Sequence, residues 1–209
     1  MAFVHLHVRD PETGLGSQDV GLFRRVVEPI REQTDLILSL TTSGIPGRNL
    51  PTEERLAPLL LKPELASFDA GSINLGGGVF ANSPAFLDEA AAMMREAGVK
   101  PEIECFDTGM VGNAMRLAER GLIDTPYWFQ FVLGVRGGAP ATPSQLVHMV
   151  NNLPSGAHWS VCGIGRYQLP MNVMAIAMGG HARFAGHCAP HIPHFPKGEI
   201  PAWCYYHDT

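Results

Sequence analysis

Ser83-Pro-Ala-Phe-Leu-Asp-Glu-Ala-Ala-Ala-Met-Met-Arg-Glu-Ala-Gly98, followed by Pro101-Glu-Ile-Glu-Cys-Phe-Asp107, is the stretch from which the fold is read. A serine that can accept from the first free N–H groups, a proline at the first helical position and a closing glycine delimit a helix at both ends. Between them the apolar residues recur at helical spacing and give one face to bury. The following stretch is short and rich in apolar residues, and it reads as a strand. Glu102 and Glu104 flank Ile103, so both carboxylates lie on one face of that strand.

The same unit repeats outward in both directions. Toward the N-terminus, Phe3-Val-His-Leu-His-Val8 alternates with period two and reads as a strand, and Ser17 or Asp19 can cap a helix over 20–31. Asp35–Thr42 is the next strand, Thr52 starts another helix, and Leu65–Ala70 is a strand that runs into Gly71-Ser-Ile-Asn74 and a glycine triplet. Toward the C-terminus, strands over 127–133, 159–162 and 181–184 alternate with helices over 112–120, 142–150 and 170–178. Strict alternation means parallel strands joined by helical crossovers, hence an α/β fold. No GxGxxG fingerprint follows the first strand, so a TIM (β/α)8-type barrel is favoured over an open dinucleotide-binding sheet. Such a barrel takes about 250 residues. This chain has 209, and an incomplete barrel is expected. Residues 1–184 are the barrel body. Residues 185–209 are an irregular tail rich in His, Cys and Pro, whose spacings match no zinc finger.

Composition narrows the function. Hydrophobic residues make up 45% and charged residues 17%, and the net charge is −5, which gives no electrostatic reason for nucleic acid or an anionic membrane as partner. No apolar run reaches the roughly 18 residues of a membrane span, and the N-terminus has no signal-peptide pattern. Four cysteines without a CxxC pair read as reduced thiols in a cytoplasm.

Catalytic groups of a barrel come from the C-terminal ends of its strands. His5 and His7 share a face there and are placed to ligate one metal, with a carboxylate and a water completing a tetrahedral zinc; two histidines hydrogen-bonded in a barrel interior are the alternative. Thr41-Thr-Ser-Gly44 ends the second strand with hydroxyls that either hold a substrate oxygen or make a turn. Glu102 and Glu104 divide evenly between a general base and a salt-bridge partner. Gly134-Val-Arg-Gly-Gly138 and Gly163-Ile-Gly-Arg166 couple glycines to Arg136 and Arg166, as anion-binding loops or as plain tight turns. His148 and His158 read as surface or packing histidines.

The segments Val4–Gly14, Leu40–Gly44, Pro101–Asp107, Gly134–Pro143, Trp159–Arg166 and Met178–His181 together resemble the β-keto acid cleavage enzymes, the 3-keto-5-aminohexanoate cleavage type, over essentially all of 3–184. The resemblance implies a TIM barrel, a homotetramer, and zinc-dependent transfer between a β-keto acid and acetyl-CoA that gives acetoacetate and a new CoA thioester. It implies His5 and His7 as zinc ligands and Glu104 and Arg183 as catalytic residues. Thr41 and Ser67 would then be substrate-binding, with Arg136, Gly163 and Arg166 binding the CoA. The resemblance also implies that the first β/α unit and the end of the last one are missing: where the family carries a Gly-x-Glu-Asp-Asn type segment, this chain reads Phe184-Ala-Gly-His-Cys188, with His187 and Cys188 in place of the Glu and Asp. A remnant barrel without activity, or a metal-dependent lyase of aldolase type, are the alternative readings.

Overall fold

The computed structural model describes residues 2–43, 50–75 and 78–184. The tail and Gly44 lie outside these. Seven strands form one parallel sheet: β1 (Phe3–Leu6), β2 (Ile37–Leu40), β3 (Leu65–Asp69), β4 (Lys100–Cys105), β5 (Trp128–Leu133), β6 (His158–Gly163) and β7 (His181–Ala182). Their order in the sheet is their order in the chain. Helices α1 (Val20–Gln33), α2 (Thr52–Arg55, continued as a tighter turn over Ala57–Leu61), α3 (Pro84–Ala97), α4 (Thr108–Glu119), α5 (Pro143–Asn151) and α6 (Gln168–Ala177) make the crossovers.

The caps sit where the side chains demand. Asp19, rather than Ser17, accepts from the Leu22 amide at 2.8 Å, and Ser83 and Thr142 accept from Phe86 and Gln145 at 3.2 and 3.3 Å. Helix α4 starts a turn earlier than the expected Gly112, because Asp107 caps it by accepting from Met110. The first strand is shorter than the alternation of Phe3–Val8 suggests. It stops at Leu6, and Val8–Arg9 turns away to pair antiparallel with Gly16–Ser17. Asp10 closes that hairpin by accepting from the amides of Glu12 and Thr13 at 3.0 and 2.8 Å. A second hairpin, Ile73–Leu75 with Gly78–Phe80, occupies what reads in sequence as loop.

Along each strand the two faces are chemically opposite. Leu38, Leu40, Ala66, Phe68, Ile103, Cys105, Phe129, Phe131, Leu133 and Val161 are buried in apolar clusters with the helices. The alternate residues, His5, Ser39, Ser67, Asp69, Glu102, Glu104, Gln130 and Ser160, are polar and face the other way. These polar groups lie on strands yet are almost wholly buried.

Burial on that polar side requires the sheet to curl. In a flat sheet with strands about 4.8 Å apart, β1 and β7 would each lie some 14 Å from β4. Instead, His5 of β1 comes within 3.1 Å of Glu102 of β4, and Arg183, just past β7, comes within 3.5 Å of the same carboxylate. The sheet is therefore wrapped around its polar face as a half-barrel, with β1 and β7 as its edges. At the amino-terminal end of the strands, Trp128 fills the concavity, edge-on to Phe3 and packed on His158 and His181 at 5.6 and 5.1 Å between ring centres. His158 is thus a packing histidine, in line with its reading from sequence.

Candidate active site

The functional groups converge toward the carboxyl ends of the strands. His5 Nε2 and His7 Nε2 are 3.2 Å apart. Two nitrogens bound tetrahedrally at 2.0–2.1 Å lie about 3.3 Å apart, so this pair has the spacing to share one zinc-sized ion. His7 lies just past the end of β1, where the chain passes into the hairpin.

The other ring nitrogen of His5 is held from behind. His5 Nδ1 lies 3.0 Å from Ser39 Oγ and 3.1 Å from Glu102 Oε2. A carboxylate behind a ligating imidazole fixes its orientation and raises its basicity, the usual support of a histidine–metal bond. Ser39 Oγ donates to Glu102 Oε2 at 2.6 Å, and Gln130 Nε2 donates to Glu102 Oε1 at 2.9 Å. Burial opposes ionisation of Glu102. Arg183, His5 and Ser39 outweigh it and hold the carboxyl at about 2. His5 itself is shifted below its ordinary value, by burial first and then by Arg183, which favours the neutral imidazole that a metal needs.

Glu104, two residues on, has the opposite environment. Arg183 Nη1 donates to Glu104 Oε1 at 3.1 Å and also to Gln130 Oε1. Even so, burial and the neighbouring carboxylates Asp69 and Glu102 push Glu104 up to about 8. Asp69 stands directly across from Glu104 in the ladder between β3 and β4. Burial raises its carboxyl too, against Arg55, Ser43 and Glu104. Two carboxylates pushed to opposite sides of neutrality, on one strand face, form a pair in which one stays charged and the other carries a proton. His5, Glu102 and Glu104 also place one ligand atom each within 4.8 Å of one another, a group able to hold a cation.

Four of the residues singled out from sequence, His5, His7, Glu104 and Arg183, are brought together by the fold. Thr41 and Ser67 are buried, and both hydroxyls are engaged by the backbone. Thr41 Oγ1 accepts from the Ser43 amide at 3.1 Å, and Ser67 Oγ accepts from the Thr42 amide at 2.9 Å. Arg136 and Arg166 are exposed and take no part in the network. Arg166 donates to the Tyr167 hydroxyl at 2.9 Å and lies over that ring. Gly163 is required by packing: a Cβ there would sit 2.4 Å from the Tyr167 carbonyl oxygen. Gly137 likewise leaves room for Asn74, whose carbonyl would be 2.3 Å from an added Cβ.

From sequence Glu102, like Glu104, read as either a general base or a salt-bridge partner and the resemblance selected Glu104, while Ser39, Asp69 and Gln130 were not singled out. Period two was the available signal. Counted from Thr41, Ser67 and Glu104, it puts Ser39, Asp69 and Glu102 on the same inner face, while Gln130 lies on a strand with no such residue to count from. Arg55 has no such signal. It is buried between Phe80 and Phe86, 4.7 and 4.1 Å from their ring centres, and donates to the Thr42 carbonyl and to Asn82 Oδ1, each at 2.7 Å. It thereby ties the turn after β2 to the start of α3.

Polar side chains gathered at the carboxyl ends of curled parallel strands, with helices outside, place the molecule in the β/α-barrel class. Solved structures agree: ObcA in binary complex with oxaloacetate matches with a TM-score of 0.73 at 21% identity, over 87% of this chain and 51% of that one. Residues 1–185 match the beta-keto acid cleavage enzyme family, and the chain belongs to it. It is 43% identical over 182 residues to the 3-keto-5-aminohexanoate cleavage enzyme of Acetoanaerobium sticklandii, covering 86% of this chain and 66% of that protein. It is 39% identical over 184 residues to the 3-oxoadipate:acetyl-CoA acetyltransferase of Cupriavidus necator, covering 86% of this chain and 63% of that protein. The chain thus spans just under two thirds of the length of these relatives.

Proposed function

We propose that this chain is the zinc- and keto-acid-binding part of an acyltransferase that cleaves a β-keto acid with acetyl-CoA, giving acetoacetate and a new CoA thioester. The observation that carries the proposal is the pair of imidazole nitrogens at 3.2 Å, backed by a buried carboxylate at 3.1 Å. Relatives named for acetyl-CoA transfer, from Cupriavidus necator and from Rhizobium meliloti, support the co-substrate.

In this reading His5 and His7 hold the zinc, and Glu102 orients His5 through Nδ1. Zinc, when bound, would act as a Lewis acid toward the keto acid's carbonyl. Thr41 and Ser67 position the substrate's polar oxygens. Glu104 carries a proton at neutral pH and is the acid–base group, with Arg183 fixing its orientation. Arg136 and Arg166, free of the buried network, face solvent where CoA phosphates can be met, beside Gly163. A cytoplasmic location and a homotetramer belong to the same proposal. Among the described residues no helix is long and apolar enough to cross a membrane.

The test is elemental analysis of the purified protein and of His5→Ala/His7→Ala, paired with an assay for acetoacetate from acetyl-CoA and a panel of β-keto acids. About one zinc per chain, lost in the double variant, is expected. Zinc that survives loss of both imidazoles would place the metal elsewhere and sink the assignment.

A further inference from the structure

Asn172 is the misfit of helix α6. Met171 and Ala175 on the same side are buried and apolar, as expected of a crossover helix packed on β6 and β7. Asn172 is only 1% exposed at that interface, although asparagine is a poor helix former and an amide leaves water at a cost unless it is paired. Only half of the amide is paired among the described residues. Asn172 Nδ2 donates to the Arg183 carbonyl at 3.1 Å, and Asn172 Oδ1 has no hydrogen-bond partner there. A buried acceptor left without a donor is destabilising. Asparagine is thus a poor choice for stability at this position, and its one bond is what accounts for it.

That bond falls where the sheet gives out. The β6–β7 ladder pairs Ser160 with His181 and Val161 with Ala182, and it ends there. Arg183 is the next residue. Its amide donates to the Val161 carbonyl at 3.0 Å, and its own carbonyl takes Asn172 in place of a strand N–H. The main chain of Arg183 is therefore fixed from β6 at one atom and from α6 at another, at the edge of the sheet. From this anchor the side chain crosses to β4, where Nη1 donates to Glu104 Oε1 at 3.1 Å and to Gln130 Oε1 and lies 3.5 Å from Glu102. Granted Glu104 as the acid–base group, on which this rests, we infer that Asn172 is a positioning residue: it sets the point from which the Arg183 guanidinium reaches that carboxyl. Asn172 acts from the helix layer, through one carbonyl. Such an anchor matters because a displacement of about 1 Å, caused far from the chemistry, is enough to cost about 10²-fold in rate.

Asn172→Leu keeps the size of the side chain, removes the donor and suits the helix. Three measurements on the full chain compare it with wild type: thermal unfolding, the Nε–Hε signal of Arg183 in 15N NMR (identified by its absence from Arg183→Lys), and acetoacetate formation from acetyl-CoA and a β-keto acid. The variant is expected to melt no lower than wild type and to move the Arg183 signal to where solvent-exposed arginines resonate. Its kcat should fall by roughly 10–100-fold, with KM for the keto acid changed by less than about threefold. An unmoved Arg183 signal overturns the inference, because Asn172 then only ties helix to strand. A moved signal with kcat unchanged overturns it too, since the placement then has no bearing on the acid–base group. Should Asn172→Leu fail to fold, Asn172→Ala is measured in the same way, and loss of the fold there as well overturns the inference, the side chain then being needed for folding itself. A wild type that forms no acetoacetate sinks the acyltransferase reading instead; the NMR signal still decides whether Asn172 places Arg183, a moved one supporting it and an unmoved one overturning it.

Discussion

Replacing Glu102 by Gln removes one negative charge and changes almost nothing in volume, so it isolates the work of the buried carboxylate. Glu102 is inaccessible to solvent, and its two oxygens receive Ser39, Gln130 and His5 at 2.6, 2.9 and 3.1 Å, with Arg183 at 3.5 Å. Its carboxyl is lowered from 4.5 to about 2, which corresponds to about 3 kcal/mol favouring the charged form in the folded chain. A depressed carboxyl contributes this stability above the unfolded value near 4.5, and the contribution is lost as pH falls through the folded value near 2. The variant is therefore expected to be less stable than wild type by about 3 kcal/mol at pH 7. The amide adds to this, because its NH2 end must face at least one donor whichever way it turns. At pH 3 the gap should shrink by about 2 kcal/mol, since the wild type has by then lost most of the advantage. Urea titrations followed by circular dichroism at the two pH values measure both gaps. A difference below about 1 kcal/mol at pH 7 would refute the reasoning, and so would one that is equal at pH 3.

Gly163→Ala is expected to destabilise the fold by about 1–3 kcal/mol in the same titration, because the new Cβ would lie 2.4 Å from a backbone oxygen that cannot swing aside. Glu104→Gln should act in the opposite pH direction from Glu102→Gln. Glu104 is pushed up to about 8, so the folded wild type holds a proton that the unfolded chain releases, and it loses stability as pH rises from about 4.5 through 8. The uncharged variant lacks that loss, and the stability difference between the two proteins should move in the variant's favour between pH 6 and pH 9. A difference independent of pH would mean that Glu104 is ionised throughout.

How much of this was legible in the sequence follows from the range over which each determinant acts. The strands and helices were readable because their signals are local: Asp19, Ser83 and Thr142 cap within three residues, and Gly98 ends a helix within one. The hairpins at Val8–Arg9 and Ile73–Leu75 were not, because short antiparallel pairs of two or three residues carry no period. They depend on turns such as the one at Asp10. The histidine pair was legible because His5 and His7 lie two residues apart, even though the strand itself ends at Leu6. Its support was only half legible. Parity puts Glu102 and Glu104 on one face as equals, and nothing local separates a carboxylate held near 2 from one pushed to about 8. The difference is made by residues far away in the chain. His5 and Ser39 arrive from β1 and β2 on one side of Glu102, while Asp69 arrives from β3 opposite Glu104.

Arg183 meets both carboxylates only because the sheet curls. Its guanidinium lies 3.5 Å from Glu102 and 3.1 Å from Glu104, although three strand spacings separate β7 from β4. The curvature is thus an electrostatic device as well as a packing solution. It brings one cation from the far edge of the sheet to a polar face that holds three buried carboxylates, Asp69, Glu102 and Glu104, of which Asp69 has Arg55 at 3.8 Å. With Arg183 in place, Glu102 is ionised and can serve His5, and Glu104 remains the protonated member. Loosening the curl at the β6–β7 ladder would withdraw Arg183 from both carboxylates. Charge distribution and sheet curvature at this site therefore stand or fall together.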